Sequence, residues 1–131
     1  MSVDSIVDSI IKDVPKSVAA GVVDMGTGLL LGVKTVDEHP QDVLDMLAAA
    51  THELFEGDSV TGIENIFKKA RGDSSTEHYF KEVMVTSTNL LHVFSRLHSD
   101  PNIVISAVCQ QGANLGLVIM KMRGIADKES I

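Results

Sequence analysis

The residues best suited to bind a metal in this chain are its five histidines. Zinc and related ions need imidazole or thiolate ligands at short, regular spacings, such as the two histidines of an HExxH helix. The sequence has no HExxH motif and no other metal-ligand spacing. It therefore predicts no metal site and ordinary surface or half-buried side chains at His39, His52, His78, His92 and His98.

The single cysteine, Cys109, is the only thiol that could act as a nucleophile. A catalytic thiolate needs a neighbouring base and an exposed, electropositive environment, and the sequence has no signature for either. Cys109 instead ends the apolar run that begins at Ile103, which is typical of a strand covered on both faces. The sequence predicts a buried structural thiol. A lone cysteine also excludes an internal disulfide and is typical of a reducing cytosol.

Two short glycine groups, Gly26–Gly28 and Gly112–Gly116, are the only candidates for a phosphate-binding loop. Neither matches a P-loop or a GxGxxG fingerprint. The second group precedes a helix, whose N-terminus can attract an anion, but a tight strand-to-helix turn is the favoured interpretation. The acidic residues are dispersed and form no recognisable general acid–base pair. The sequence predicts no catalytic residue, no cofactor and no enzymatic activity.

The charge distribution excludes two classes of partner. The net charge is −7, and the eleven lysines and arginines are scattered without a basic stripe. A nucleic-acid or anionic membrane surface requires clustered positive charge, so neither partner is expected. No apolar stretch is long enough to span a bilayer, and the start Met1–Asp4 lacks the basic residues of a signal peptide. We expect a cytoplasmic protein with one domain over residues 1–131.

Four segments have the apolar spacing of amphipathic helices. Ser2 is a suitable N-cap for the first, and Pro15 ends it. The last is apolar more than halfway round, which predicts a well-buried helix, and residues 124–131 are expected to form a frayed tail. The predicted helices are Ser2–Val14, Gln41–Glu56, Ser59–Ala70 and Ala113–Arg123.

Five segments have the composition of strands. The first two form a hairpin, and their interior glycines, Gly21 and Gly32, predict a bulge or the close approach of a covering helix. A second hairpin is predicted around Ser87–Asn89, with Val85 opposite Leu90 and Val83 opposite His92. The order α-β-β-α-(α)-β-β-β-α predicts an α+β fold, a five-stranded antiparallel sheet with helices on both faces. The predicted strands are Ser17–Asp24, Leu29–Thr35, Glu77–Thr86, Leu90–Leu97 and Ile103–Cys109.

Two features are compatible with contact to another protein. The long helix carries the small residues Ala48–Ala50, which suit either core packing or a helix–helix seam between two subunits. The third strand has Lys81 and Glu82 at its middle, and charges at such positions protect a sheet edge or meet a partner. The alternatives are left open by the sequence.

The chain resembles the Roadblock/dynein light chain family, which is related in fold to longin and profilin domains. The resemblance covers nearly the whole chain. It rests on the hairpin SVAAGVVD…GLLLG, on the long alanine-containing helix, and on the last strand followed by the Asn-Leu-Gly helix start at Asn114–Gly116. It implies the strand order 2-1-5-4-3. Residues 59–75 exceed the usual connection in the family and are interpreted as a helical insertion.

The resemblance also implies a homodimer that pairs through the third strand and the long helix. Lys81 and Glu82 would then meet their counterparts across an antiparallel strand pair. The residues predicted to lie at the dimer interface are Val43, Leu47, Ala50, Leu54, Tyr79, Lys81, Glu82 and Val83.

The function implied by the resemblance is that of a non-enzymatic regulator or scaffold. Such a protein would bind a Ras-like small GTPase or another cytosolic protein. The alternative is a PAS- or profilin-like sensor that holds a small apolar ligand beneath its helices. The high aliphatic content, with only four phenylalanines and one tyrosine, is compatible with that alternative.

Overall fold

A computed structural model describes residues 2–36, 41–72 and 80–129 of the chain. The elements follow the predicted order. Residues 37–40 lie outside the described residues, as do residues 73–79, which include the predicted start of the third strand at Glu77. The elements are α1 (Val3–Asp13), β1 (Ser17–Asp24), β2 (Leu29–Thr35), α2 (Gln41–Glu56), α3 (Asp58–Arg71), β3 (Glu82–Thr86), β4 (Leu90–Arg96), β5 (Ile103–Gln110) and α4 (Leu115–Lys128).

The five strands form one antiparallel sheet in the order β2-β1-β5-β4-β3. The predicted α+β fold and strand order are confirmed. β5 lies at the centre because its side chains are apolar toward both faces, with Val104 buried on one side and Ile103 and Ile105 on the other. A strand with two apolar faces is stable only where both faces are covered.

Two separate cores cover the sheet. The larger core lies beneath α1 and α4, and the smaller one lies beneath α2. The buried residues of the larger core include Ile6, Ile10, Val22, Val93, Ile105, Ala107, Cys109, Val118 and Met122. The smaller core consists of Val23, Met25, Ala48, Phe55 and Val104, with Leu30, Val83 and Phe94 packed against it.

The first helix lies close to the β1–β2 hairpin. Ser2 caps α1 by accepting a hydrogen bond of 3.1 Å from the backbone N–H of Ser5, as predicted. Gly32 lies directly beneath Val3, and a Cβ atom built on Gly32 overlaps the Val3 side chain. The register of the hairpin shifts between Val22 and Val23. Both expectations for this hairpin, a bulge and a close helix approach, are therefore met.

The last helix differs from the prediction in length and burial. It continues beyond Gly124 to Lys128, so the predicted frayed tail is wrong over this part. A glycine in a helix costs about 1 kcal/mol, but the burial of Ile125 and Ala126 offsets this cost. Only one face of α4 is buried, since Leu115 and Met120 are 45% and 60% exposed. The prediction of burial over most of the helix was also wrong.

The β3–β4 hairpin has a different register from the predicted one. Val85 lies opposite His92 and Val83 opposite Phe94, two residues away from the predicted pairs. The Ser87 N–H donates to the Leu90 carbonyl at 2.9 Å, and this bond closes a two-residue turn. Because side chains alternate with period two, a shift of two residues leaves each side chain on its predicted face.

The contact between Gly32 and α1 leads to a first prediction. Gly32→Ala is expected to lower the free energy of unfolding by about 1–2 kcal/mol, since the added methyl group displaces Val3. Gly62→Ala in α3 is the control, because no described heavy atom lies within 4 Å of the position that its methyl group would occupy. It is expected to raise stability by about 0.5–1 kcal/mol. Urea unfolding at one fixed protein concentration measures both, and equal effects would contradict the packing argument.

Candidate protein-binding surface

The long helix α2 presents one apolar stripe to the sheet and a second one to solvent. The stripe facing the sheet contains the buried residues Ala48, Thr51 and Phe55. The predicted interface stripe is a different one. Within it, Leu47 is 52% exposed and Leu54 is 37% exposed, and Ala50 between them is exposed as well. The side chain of Val43 lies outside the described residues.

The exposed stripe of α2 lies on the flank of the helix that is turned away from the β1–β2 turn. His52 lies against Gly28 in the β1–β2 turn. Positions 47, 50 and 54 are on the opposite flank of the helix from His52, because successive residues turn by 100°. The flank with Leu47 and Leu54 is therefore directed away from that turn, toward the other end of the strands.

A row of incompletely buried side chains crosses all five strands at that other end. The strand registers place its members directly opposite one another, on the same face as α2. Each is half-buried except Val85, which is 40% exposed. We call this row the open face; it consists of Thr35, Ala19, Val108, His92 and Val85.

The third strand forms an edge of the sheet beside the open face. The Arg96 N–H donates to the Lys81 carbonyl and the Ser87 N–H to the Leu90 carbonyl, both at 2.9 Å. Odd-numbered positions of β3 therefore bond to β4, and the backbone groups of Glu82 and Met84 point outward. The outer edge of β3 offers a row of backbone donors and acceptors.

The predicted interface residues of β3 occupy different environments. Val83 packs against the smaller core, and Lys81 is exposed just before the strand. Glu82 lies on the opposite face, where its two carboxylate oxygens accept hydrogen bonds of 2.8 Å from Arg123 of α4. The hydrogen bond from Arg123 lowers the pKa of the Glu82 carboxyl. Tyr79 lies outside the described residues.

A buried arginine, Arg96 at the end of β4, holds both candidate interface elements in place. It is 7% exposed, and its guanidinium donates to backbone carbonyls of three segments and to one carboxylate. It also lies over the Phe55 ring, 5.0 Å from the centroid. The acceptors are the carbonyls of Phe80 (2.7 Å), Pro101 (2.7 Å) and Phe55 (3.2 Å) and the Glu56 carboxylate (3.3 Å).

The bonds of Arg96 link the end of α2 to Phe80, two residues before β3. A second link supports the same region, since the Glu64 carboxylate of α3 accepts a 3.4 Å hydrogen bond from the Phe80 N–H. Arg96 was not among the residues that the sequence pattern indicated. The one available signal was a cation at the end of a largely apolar strand, and a sequence does not show which distant carbonyls such a cation meets.

The remaining candidates from the sequence have structural roles. Cys109 is fully buried, and burial raises the pKa of its thiol, so the predicted structural thiol is confirmed. Asp24 accepts hydrogen bonds of 3.0 Å from the Gly26 N–H and the Thr27 hydroxyl, which closes the first glycine turn. In the second turn, Asn114 caps α4 by accepting a 3.0 Å bond from the Leu117 N–H.

Neither a metal cluster nor a membrane-spanning helix occurs within residues 2–36, 41–72 and 80–129. In these ranges, no group of three His, Cys, Asp or Glu side chains is arranged to hold a metal ion. No helix of the same ranges has the length and apolar character that crossing a membrane requires.

Comparison with solved structures identifies the fold. MglB of Myxococcus xanthus superposes with a TM-score of 0.69 at 17% identity, covering 95% of this chain and 89% of that one. A Roadblock/LC7 domain from Streptomyces avermitilis gives 0.68 at 19% identity, covering 96% and 92%. The gliding protein MglB of Thermus thermophilus gives 0.67 at 15% identity, covering 95% and 83%. The chain has a Roadblock-type fold. No family model and no curated protein matches its sequence.

The position of Arg96 leads to a second prediction. Arg96→Lys is expected to lower the free energy of unfolding by about 3 kcal/mol, since an ammonium group cannot reach the three carbonyls that the guanidinium reaches. Arg123→Lys on the exposed pair with Glu82 is the control, with an expected loss below about 1 kcal/mol. Urea unfolding at one protein concentration measures both. A loss at Arg96 as small as that at Arg123 would refute its anchoring role.

Proposed function

We propose that the chain is a non-enzymatic, homodimeric Roadblock-type regulator or scaffold that binds a Ras-like small GTPase or another cytosolic protein. The observation that carries the proposal is the coincidence of three features on one side of the molecule. These are the exposed stripe of α2, the open face, and the outer edge of β3. The Roadblock-type fold supports the same assignment, and the GTPase partner is inferred from the resemblance in sequence pattern.

The exposed stripe of α2 is the first part of the proposed dimer interface. Leu47 and Leu54 provide apolar area, and Ala50 between them allows a second helix to approach closely. Val43 continues the same stripe by helical spacing. In the proposed dimer, the α2 helices of two copies pack side by side and cover each other's stripe together with the open face. Burial of exposed leucines supplies the free energy of association.

The outer edge of β3 is the second part. Pairing of two β3 strands satisfies the outward backbone groups of Glu82 and Met84 and joins the two sheets. Tyr79, Lys81 and Val83 lie on or before the same strand and belong to the proposed interface. The Glu82 carboxylate lies on the opposite face of the sheet from Lys81 and is held by Arg123 of its own chain. The proposed strand pairing therefore does not bring it to Lys81 of the second copy.

The third helix distinguishes this chain within the proposed class. We interpret residues 59–75 as a helical insertion in a single domain over residues 1–131. Ile63, Ile66 and Phe67 of α3 are 41%, 67% and 51% exposed. Since Glu64 of the same helix accepts a hydrogen bond from Phe80, two residues before β3, the insertion lies beside the proposed dimer edge and reshapes the surface offered to a partner.

Two substitutions test the proposed dimer. The chain has a mass of 14.1 kDa, and sedimentation at about 10 µM is expected to give twice that mass. Leu47→Asp is expected to give a folded monomer, because it places a charge in the apolar seam. Met84→Pro is expected to do the same, because it removes an outward N–H of β3.

The matched controls are Met120→Asp and Met84→Leu. Met120 is exposed on α4, on the other side of the sheet, and Met84→Leu retains the backbone N–H. Both control proteins are expected to remain dimeric, and circular dichroism verifies that every variant is folded. A monomeric wild type at this concentration would overturn the proposed dimer.

A pull-down tests the proposed partner. Purified protein serves as bait in native lysate, in parallel with GDP and with a non-hydrolysable GTP analogue. A small GTPase retained preferentially in one nucleotide state is the expected result, and Leu47→Asp as bait tests whether retention depends on the dimer. Retention of no GTPase in either state would remove the GTPase from the proposal and leave the dimer to be judged on its own test.

A further inference from the structure

His92 lies within the open face and is the one ionisable residue of that row. Val85 and Val108 flank it directly on the neighbouring strands. Its ring stacks on Phe94, with the centroids 6.5 Å apart and the planes 7° from parallel. Phe94 in turn contacts Phe55 of α2, at 6.4 Å between centroids. The imidazole is thus half-buried against apolar groups, and burial lowers its pKa.

No acidic group among the described residues bonds the imidazole of His92. On its own face, Arg96 lies two positions beyond Phe94 and is a cation, and Lys81 precedes β3 on the same side. From α2, the Glu56 carboxylate bonds Arg96, and His52 lies against Gly28 on the far flank. The neighbours on β5 that face His92 and Phe94 are Val108 and Ser106. Within residues 2–36, 41–72 and 80–129, no carboxylate is therefore placed to compensate a proton on His92.

Covering the open face would affect the two protonation states of His92 differently. A neutral imidazole can be covered at small cost, because it already stacks on an aromatic ring. An imidazolium would lose its remaining water without gaining an anion, which is strongly unfavourable. The monomer, whose open face is uncovered, consequently binds a proton at His92 more readily than the dimer does. By linkage, association weakens as the pH falls below the ordinary histidine value of about 6.5.

We propose that His92 makes the self-association of this protein pH-dependent, with the dimer stable at neutral pH and dissociating when this histidine is protonated. The inference rests on the proposed homodimer and adds to it a specific regulatory residue. Each dimer would contain two such histidines, one in each open face. The factor by which protonation of one histidine raises the dimer Kd is therefore squared.

Sedimentation at pH 7.5 and pH 5.5 tests the proposal on wild type, His92→Phe and His98→Gln. His92→Phe retains a ring for stacking on Phe94 but does not titrate. His98 is an exposed histidine near Asp127, so His98→Gln is the matched control. For wild type and His98→Gln, the dimer Kd is expected to rise by about tenfold to a hundredfold from pH 7.5 to pH 5.5. His92→Phe is expected to change by less than about threefold.

The outcomes separate this inference from the dimer itself. Circular dichroism at pH 5.5 establishes that the wild type is still folded when its dimer dissociates. If all three proteins are dimers at pH 7.5 and respond equally to pH, the role of His92 is refuted and the dimer stands. If wild type is monomeric at pH 7.5, the proposed dimer fails and the inference fails with it.

Discussion

The guanidinium of Arg96 is the constraint on which the candidate surface depends. A buried cation is tolerated only when its donors are bonded, and this one meets three backbone carbonyls and a carboxylate. Those acceptors belong to the end of α2, the approach to β3 and the turn before β5. Because the guanidinium is planar and its donors have fixed directions, these segments cannot move independently. The helix and the edge strand therefore keep one relative position.

The unequal covering of the sheet explains why a surface remains open. Strands of seven residues, such as β2 and β4, are about 23 Å long, whereas a helix with its side chains is about 10 Å wide, so one helix that crosses the strands covers only part of their length. The two helices α1 and α4 together cover one face, and the larger core lies beneath them. On the other face, α2 covers only the part near the β1–β2 turn. The uncovered part carries Val85, Val108 and His92, which are only half-buried or exposed.

Local patterns predicted most of the fold because their causes are local. The N-cap at Ser2, the apolar spacing of α1 and the doubly apolar β5 each follow from neighbouring residues. Of the errors in helix length and hairpin register, the first has a distant cause and the second a local one. Helix α4 continues past Gly124 because Ile125 and Ala126 reach the core, and the turn after β3 closes at Ser87 and Leu90. In the candidate surface, the pattern identified the stripe of Leu47 and Leu54 but did not single out Arg96.

The sequence by itself determined which residues of α2 share a flank, because the helical repeat fixes the angles between side chains. It did not determine which flank faces the sheet, since both stripes of α2 are apolar. Tertiary contacts decided this: Phe55 enters the smaller core and its carbonyl bonds Arg96, whereas Leu47 and Leu54 stay exposed. The rotation of a helix about its axis is set by the residues that it contacts, and these can be distant in the sequence. Phe55 and Arg96, for example, are 41 residues apart along the chain.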